Sequence, residues 1–137
     1  MCLQSTISTS NNNADVVYGY QIKIKCSNGK YRAPFWPDKR PLKFKNFQIA
    51  KNNELIKCDE TSTKYRSGFH IIETRRAAIK FYEDLKQANP SRREYVICEV
   101  IGRNVTARGF NYCHDDFFIK CSVCRELRVI SEISTQV

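Results

Sequence analysis

The chain has 137 residues, of which 42% are hydrophobic and 12% aromatic; this composition is typical of one folded domain and excludes a disordered chain. No apolar run approaches the roughly 20 residues that a membrane-spanning helix needs, so we expect no membrane association. The formal net charge is +9, and between Lys30 and Arg76 twelve Lys and Arg stand against five Asp and Glu. Such a surplus favours an anionic partner, namely a nucleotide, a nucleic acid or an acidic protein face, although a merely solvated surface would show it too.

The N-terminal part of the chain predicts a tail and then a hairpin. Residues 1–15 are polar and have neither the basic nor the apolar region of a signal peptide, so we expect a disordered tail. The single domain then covers 16–137. Its first residues, VVYGYQIKIK, alternate apolar and polar side chains, and the following Asn28-Gly29 pair is a strong turn signal. We therefore predict a hairpin made of 16–26 and 30–35.

A long basic loop is predicted next, over 36–66. Pro37 and Pro41 interrupt regular structure at its start, and only a weak strand at 43–50 is indicated within it. The basic segment interleaves cations with aromatic rings, a mixture that suits single-stranded nucleic acid. The alternative is that the rings belong to the core and the cations to the surface. The rings are Tyr31, Phe35, Trp36, Phe44, Phe47 and Tyr65.

The segment SGFHIIETRRAAIKFYEDL, Ser67 to Leu85, predicts a short strand followed by a helix. Thr74 is a suitable N-cap, apolar residues then recur at helical spacing, and Pro90 ends the pattern. We therefore predict the one main helix over 74–88. The apolar positions are Ala77, Ala78, Phe81, Tyr82 and Leu85.

The C-terminal part of the chain predicts strands only. EYVICEVIG is dense in β-branched residues and indicates a central strand, and RNVTARG is either its continuation or a return strand. After a turn at NYCHDD, we expect two further strands in FFIKCSVC and RELRVISEI. The whole pattern predicts an α+β fold: one domain with a predominantly antiparallel sheet and one main helix.

The seven cysteines are an odd number without regular spacing. Without a secretion signal they predict reduced thiols and a cytoplasmic or nuclear location. Cys121 and Cys124 form a CxxC pair with Cys113 and His114 upstream, which suggests zinc. However, residues three apart on a strand face opposite sides, so buried thiols and no metal are the favoured interpretation. The spacing singles out no catalytic Cys/His pair.

Several segments, taken in chain order, resemble the catalytic domain of ADP-ribosyltransferases of the poly(ADP-ribose) polymerase type. YGYQI is similar to the first nicotinamide-site strand of that family, and SGFHIIETRRAAIKFY to its Gly-Ile-Tyr-Phe strand and the segment after it. REYVICEVIGRNVTARG resembles the next strand. RELRVI resembles the strand that begins with the catalytic glutamate.

This resemblance implies NAD as the cofactor and Glu126 and His70 as catalytic residues. Glu126 would stabilise positive charge developing on the nicotinamide ribose, and His70, at the position of the family's tyrosine, would stack on nicotinamide. The family's first-strand histidine is replaced here by Tyr18. The resemblance therefore includes two cases, an active domain and a catalytically degenerate one. The remaining cofactor contacts would come from Tyr18, Gly19, Arg32 and Tyr82, with Phe81 as the alternative to Tyr82.

The GFHxxxT pattern also resembles small uncharacterised domains of phages and large DNA viruses. That resemblance implies the alternative function: a non-catalytic accessory protein that binds nucleic acid or nucleotides and counters host defence, with a host protein as a further partner. A structural or protein-interaction domain is the third hypothesis.

Overall fold

The computed structural model describes residues 5–9, 16–25, 31–32, 47–50, 55–57, 64–88, 94–112 and 118–133. These residues form strands and one helix. The elements are β1 (Ser5–Thr9), β2 (Val16–Lys25), β3 (Tyr31–Arg32), β4 (Gln48–Ile49), β5 (Leu55–Lys57), β6 (Lys64–Arg66), β7 (Phe69–Ile72), α1 (Arg75–Ala88), β8 (Tyr95–Tyr112) and β9 (Phe118–Ile133).

The main sheet is antiparallel and closes on itself. β8 pairs with β2 along one edge and with β9 along the other. β9 pairs in turn with β7, and β7 meets β2 through Tyr20 and Ile72, so β2, β8, β9 and β7 form a ring. β3 extends the sheet from β2, β4 extends it from β9, and β5 and β6 form a separate pair. The α+β prediction with a predominantly antiparallel sheet is confirmed.

The segment predicted to be a disordered tail contains a strand. β1 pairs with the second half of β8, from Ser5 opposite Phe110 to Thr9 opposite Ala107. β2 occupies the first half of the same edge, where Val16 lies opposite Arg103. The prediction of disorder is therefore wrong for residues 5–9. The open edge of β8 offers these residues backbone partners that their local composition does not reveal.

The C-terminal part of the chain forms two long strands where we predicted more. β8 runs through RNVTARG as a continuation of EYVICEVIG, and β9 runs without a break through the two segments predicted as separate strands. Register shifts occur between Glu99 and Val100 and between Val105 and Ala107. Asn104 has φ 59°, a left-handed conformation that Asn tolerates better than most residues. Such irregularities bend a strand without ending it, which allows the ring to close.

The predicted hairpin and helix are both present. β2 and β3 pair at Ile24 opposite Arg32, while the turn predicted between them lies outside the described residues. In α1, the Thr74 hydroxyl accepts a hydrogen bond from the Ala77 amide over 3.2 Å, which is the expected N-cap. Within the part of the chain that the structure describes, no helix is long and apolar enough to cross a membrane.

The predicted long loop contains three short strands. β4, β5 and β6 all fall within 36–66, and the weak strand expected at 43–50 is represented by β4. Phe47 and Ala50 flank β4, and the rest of the predicted loop lies outside the described residues. Phe47 and Tyr65 are the aromatic residues of the segment whose side chains are described, and Tyr65 is buried.

Two apolar clusters fill the fold, one on each face of the sheet. The helix-side core packs α1 on the sheet through Ala77, Ala78 and Leu85. The inner core lies inside the ring, and Ile71 is fully buried within it. A Cβ atom added to Gly19 or Gly102 would lie 2.4 Å from a carbon of Ile71, so these two glycines make room for that side chain. The other inner-core members are Val17, Ala50, Phe69, Cys98, Val100, Val105, Cys124, Leu127 and Val129.

Candidate functional site

His70 lies in β7 opposite Val123, a residue of the helix-side core. Its backbone oxygen accepts a 2.6 Å hydrogen bond from Gln21 Nε2, which links β7 to β2. The imidazole Nε2 atom is buried without a hydrogen-bond partner. Burial lowers the pKa of His70 to about 3, against an opposing hydrogen bond with the Gly68 backbone. The ring is therefore neutral at physiological pH.

Glu126 lies in β9 and is held by two neighbours. Arg103 donates to both of its oxygens, from Nε over 2.8 Å and from Nη2 over 3.2 Å. Asn104 Nδ2 donates to the same carboxylate over 2.5 Å. This charge-assisted pairing raises the pKa of Arg103 through the hydrogen bond to Glu126. In this structure Glu126 is therefore the ion-pair partner of Arg103.

The structure does not bring all the residues that the resemblance assigned to an active site together, although Tyr18 and Glu126 project from the same face of the sheet. His70 lies opposite Val123, three positions along β9 from Glu126, a separation of about 10 Å along an antiparallel strand. Gly19 packs against Ile71 of the inner core. Among the remaining candidates, Tyr18 is 65% exposed on β2, Tyr82 of α1 packs on the helix-side core, and Arg32 is described only as part of the β3 backbone.

The described cysteines, Cys98, Cys121 and Cys124, are buried and form no disulfide bond. Cys121 belongs to the helix-side core and Cys124 to the inner core, so the CxxC pair points to opposite faces of the sheet. Burial raises the pKa of Cys98 and of Cys124 to about 12, which makes both thiols poor nucleophiles. The described residues contain no group of three or more His, Cys, Asp and Glu that could hold a metal ion. Cys113 and His114 lie outside them.

A second candidate site, made of aromatic, apolar and arginine side chains, lies on the outward surface of β2, β8, β9 and β4. Directly opposed residues of antiparallel strands project from the same face, so the strand register places side chains in two rows across these strands. We call this surface the aromatic–arginine face. One row contains Tyr18, Ile101 and Arg128, next to which lies the ring of Phe47, the residue before β4, and the other contains Val16, Arg103, Glu126 and Ile49.

The two guanidinium groups of this face lie over one ring. The Arg103 guanidinium carbon is 3.8 Å from the centroid of the Phe47 ring, and that of Arg128 is 5.5 Å away. Both lie within the range of a cation–π attraction. Arg103 is also fixed by its bonds to Glu126, yet its side chain remains 44% exposed. Because a guanidinium has five N–H donors, Arg103 keeps donors for a further acceptor.

The face also exposes apolar side chains. Tyr18, Val16 and Ile49 are 65%, 51% and 60% exposed, and they are three of the four large hydrophobic side chains that are most exposed among the described residues. Ile101 lies between the ends of the face and is 9% exposed. Clustered exposed apolar groups are typical of binding surfaces. The combination of a free ring with neighbouring guanidinium groups can bind planar groups and phosphates.

Only some residues of this face were predicted from the sequence to be functional. Phe47 was assigned to the basic aromatic segment, and Tyr18 and Glu126 were both assigned to the NAD site. Arg103 and Arg128 were not predicted as functional. A weak signal existed in RELRVI, where polar residues alternate with Leu127 and Val129 and so indicate one solvent-facing side of a strand.

No known protein family, no curated protein and no solved structure matches the chain.

Proposed function

We propose that this chain is a non-catalytic nucleic-acid-binding module that binds single-stranded nucleic acid on its aromatic–arginine face. The observation that supports the proposal is that the exposed Tyr18 ring and the side chains of Arg103 and Arg128 project from the same sheet surface. The net charge of +9 complements a polyanion. A single-stranded ligand fits because its bases are free to stack.

Each part of the face has a separate role in this proposal. The Tyr18 ring stacks on a base, an interaction that every base can make. Arg103 and Arg128 bind backbone phosphates. Phe47 supports both guanidinium groups from one side, and Glu126 fixes the orientation of Arg103. These contacts carry little sequence information, so we expect binding with weak sequence preference.

An ADP-ribosyltransferase-like domain that binds NAD is the second candidate. The neighbouring position of β2 and β7 favours it, because the resemblance assigns nicotinamide contacts to both strands and Gln21 bonds directly to the His70 backbone over 2.6 Å. In that candidate Glu126 exchanges Arg103 and Asn104 for a ribose hydroxyl of NAD. The substitution Glu126→Gln would then abolish ADP-ribose transfer.

The experiment for the main proposal measures the affinity for a fluorescent single strand of about twelve nucleotides by anisotropy at several salt concentrations. Loss of one phosphate contact reduces the slope of log K against log salt by about 0.7 for single strands. We therefore expect Arg128→Gln to weaken binding and to flatten this slope. Arg76→Gln is the matched control, since it removes the same charge from an exposed position of α1.

Equal effects of Arg128→Gln and Arg76→Gln would contradict the proposal, since binding would then follow net charge and not the face. Absence of salt dependence would contradict it as well. A thermal-shift measurement with NAD addresses the second candidate. An increase in Tm with NAD, together with no binding of the oligonucleotide, would replace the main proposal by the second.

A further inference from the structure

We infer that the ligand of the aromatic–arginine face has one base on each side of an internal phosphate, so that its minimal form is an oligonucleotide and not a single nucleotide. This inference rests on the proposed function and specifies the ligand of the same surface. It follows from the order of side chains across the four strands.

The two ends of the face are apolar. At the β2 end, Val16 and Tyr18 are exposed, and at the β4 end Ile49 is exposed beside Phe47. The strands lie in the order β2, β8, β9 and β4, so β2 and β4 are three interstrand spacings apart. At about 4.8 Å per spacing, the ends are roughly 14 Å apart. One base is too small to contact both ends.

The centre of the face is charged. Arg103 of β8 and Arg128 of β9 stand on the two strands between the apolar ends, and their guanidinium groups lie over the Phe47 ring on the side of β4. Glu126 bonds one edge of the Arg103 guanidinium, so the other edge remains as the donor for an anion. A ligand that satisfies this order has a ring at Tyr18, a phosphate at the arginines and a second ring at Ile49. Its backbone therefore crosses the β-strands.

A phosphate between two ring systems occurs both in an internal phosphodiester and in the pyrophosphate of a dinucleotide cofactor. We assign the face to the phosphodiester of a polymer. The reason is the net charge of +9, which exceeds what one pyrophosphate neutralises and favours a ligand with many phosphates. NAD is the comparison ligand that tests this choice.

The experiment compares four ligands: a nucleoside monophosphate, a dinucleotide with one internal phosphodiester, a hexanucleotide and NAD. Each is titrated against the wild-type chain and against Tyr18→Ala and Ile49→Ser. The matched control is Leu55→Ser, because Leu55 is similarly exposed at 50% but belongs to β5, outside the face. All three positions are exposed, so the variants are expected to fold.

We expect Tyr18→Ala to weaken hexanucleotide binding about 5- to 150-fold, the range for loss of one stacked base. Ile49→Ser should weaken the dinucleotide and the hexanucleotide but leave the monophosphate unchanged, and Leu55→Ser should change none of them. A monophosphate that binds as tightly as the dinucleotide would overturn this inference while leaving the proposed function intact. Equal effects of Ile49→Ser and Leu55→Ser would also overturn it. Failure of the hexanucleotide to bind would overturn the proposed function itself, and tight binding of NAD alone would favour the second candidate.

Discussion

Acidification from pH 7 to pH 5 should destabilise the fold through His70. Burial holds the pKa of this imidazole at about 3 in the folded chain, against 6.5 in an unfolded one. The folded state therefore disfavours the protonated ring, and the unfolded state takes up the proton first. The neutral ring's contribution to stability is fully present above pH 6.5 and is lost as the pH falls toward 3.

The magnitude follows from these two pKa values. For each pH unit below 6.5, the free energy of unfolding falls by about 1.4 kcal/mol, until the pH reaches the pKa of the folded state. The free energy of unfolding should thus fall by about 2 kcal/mol between pH 7 and pH 5 through this residue alone. For a domain whose total stability is about 5–15 kcal/mol, that is a large fraction.

Urea denaturation at several pH values between 7.5 and 4.5 measures this loss. The variant His70→Gln removes the titrating ring, so its free energy of unfolding should depend less steeply on pH than that of the wild type, whatever its stability at pH 7. His114→Asn removes the only other histidine of the sequence and provides the comparison. Equal slopes for the wild type and His70→Gln would show that His70 does not titrate differently in the folded and unfolded states. An imidazole of His70 that titrates near 6.5 in the folded state by NMR would refute the lowered pKa.

Three further outcomes follow from the packing. Gly102→Ala should lower the free energy of unfolding, measured by urea denaturation, by about 1–3 kcal/mol, because its Cβ would lie 2.4 Å from Ile71 Cδ1. A second substitution, Ile71→Val, removes that atom and should restore part of the lost stability. An unchanged denaturation midpoint for Gly102→Ala would contradict this clash. Thr74→Ala should cost about 1 kcal/mol of stability and Thr74→Ser much less, and equal losses would mean that the hydroxyl is not the cap. The Cys98 and Cys124 thiols should react with iodoacetamide only after denaturation, since burial raises the pKa of both to about 12; labelling in the native chain, detected by peptide mass spectrometry, would contradict their burial.

The helix and the fold class were predictable because their signals are local. Thr74 and the apolar spacing after it determine where α1 begins and which side it buries. The number of strands was not predictable, since a bulge and a strand end look alike in sequence. The Arg103-Asn104 region has the polar character of a turn, yet β8 continues through it by means of a left-handed Asn.

The candidate site was less predictable than the fold. The aromatic–arginine face depends on which residue of β8 lies opposite which residue of β2 and β9, and that register is set by contacts between distant parts of the chain. Glu126 was identified as a catalytic candidate by its place in RELRVI, but its partner Arg103 is 23 positions away. No local pattern indicates that these two side chains form an ion pair.

The ring of strands has one narrow junction. β2 and β7 share a single register pair, Tyr20 with Ile72, whereas β2 and β8 are paired from Val16 to Ile24. The Gln21 side chain reinforces this junction through its bond to the His70 backbone. Local opening should therefore begin between β2 and β7, at a free energy below that of global unfolding. In hydrogen exchange, amides that bridge these two strands should lose protection before those of the β8–β9 hairpin, and Ile71 would become accessible while the hairpin is still folded.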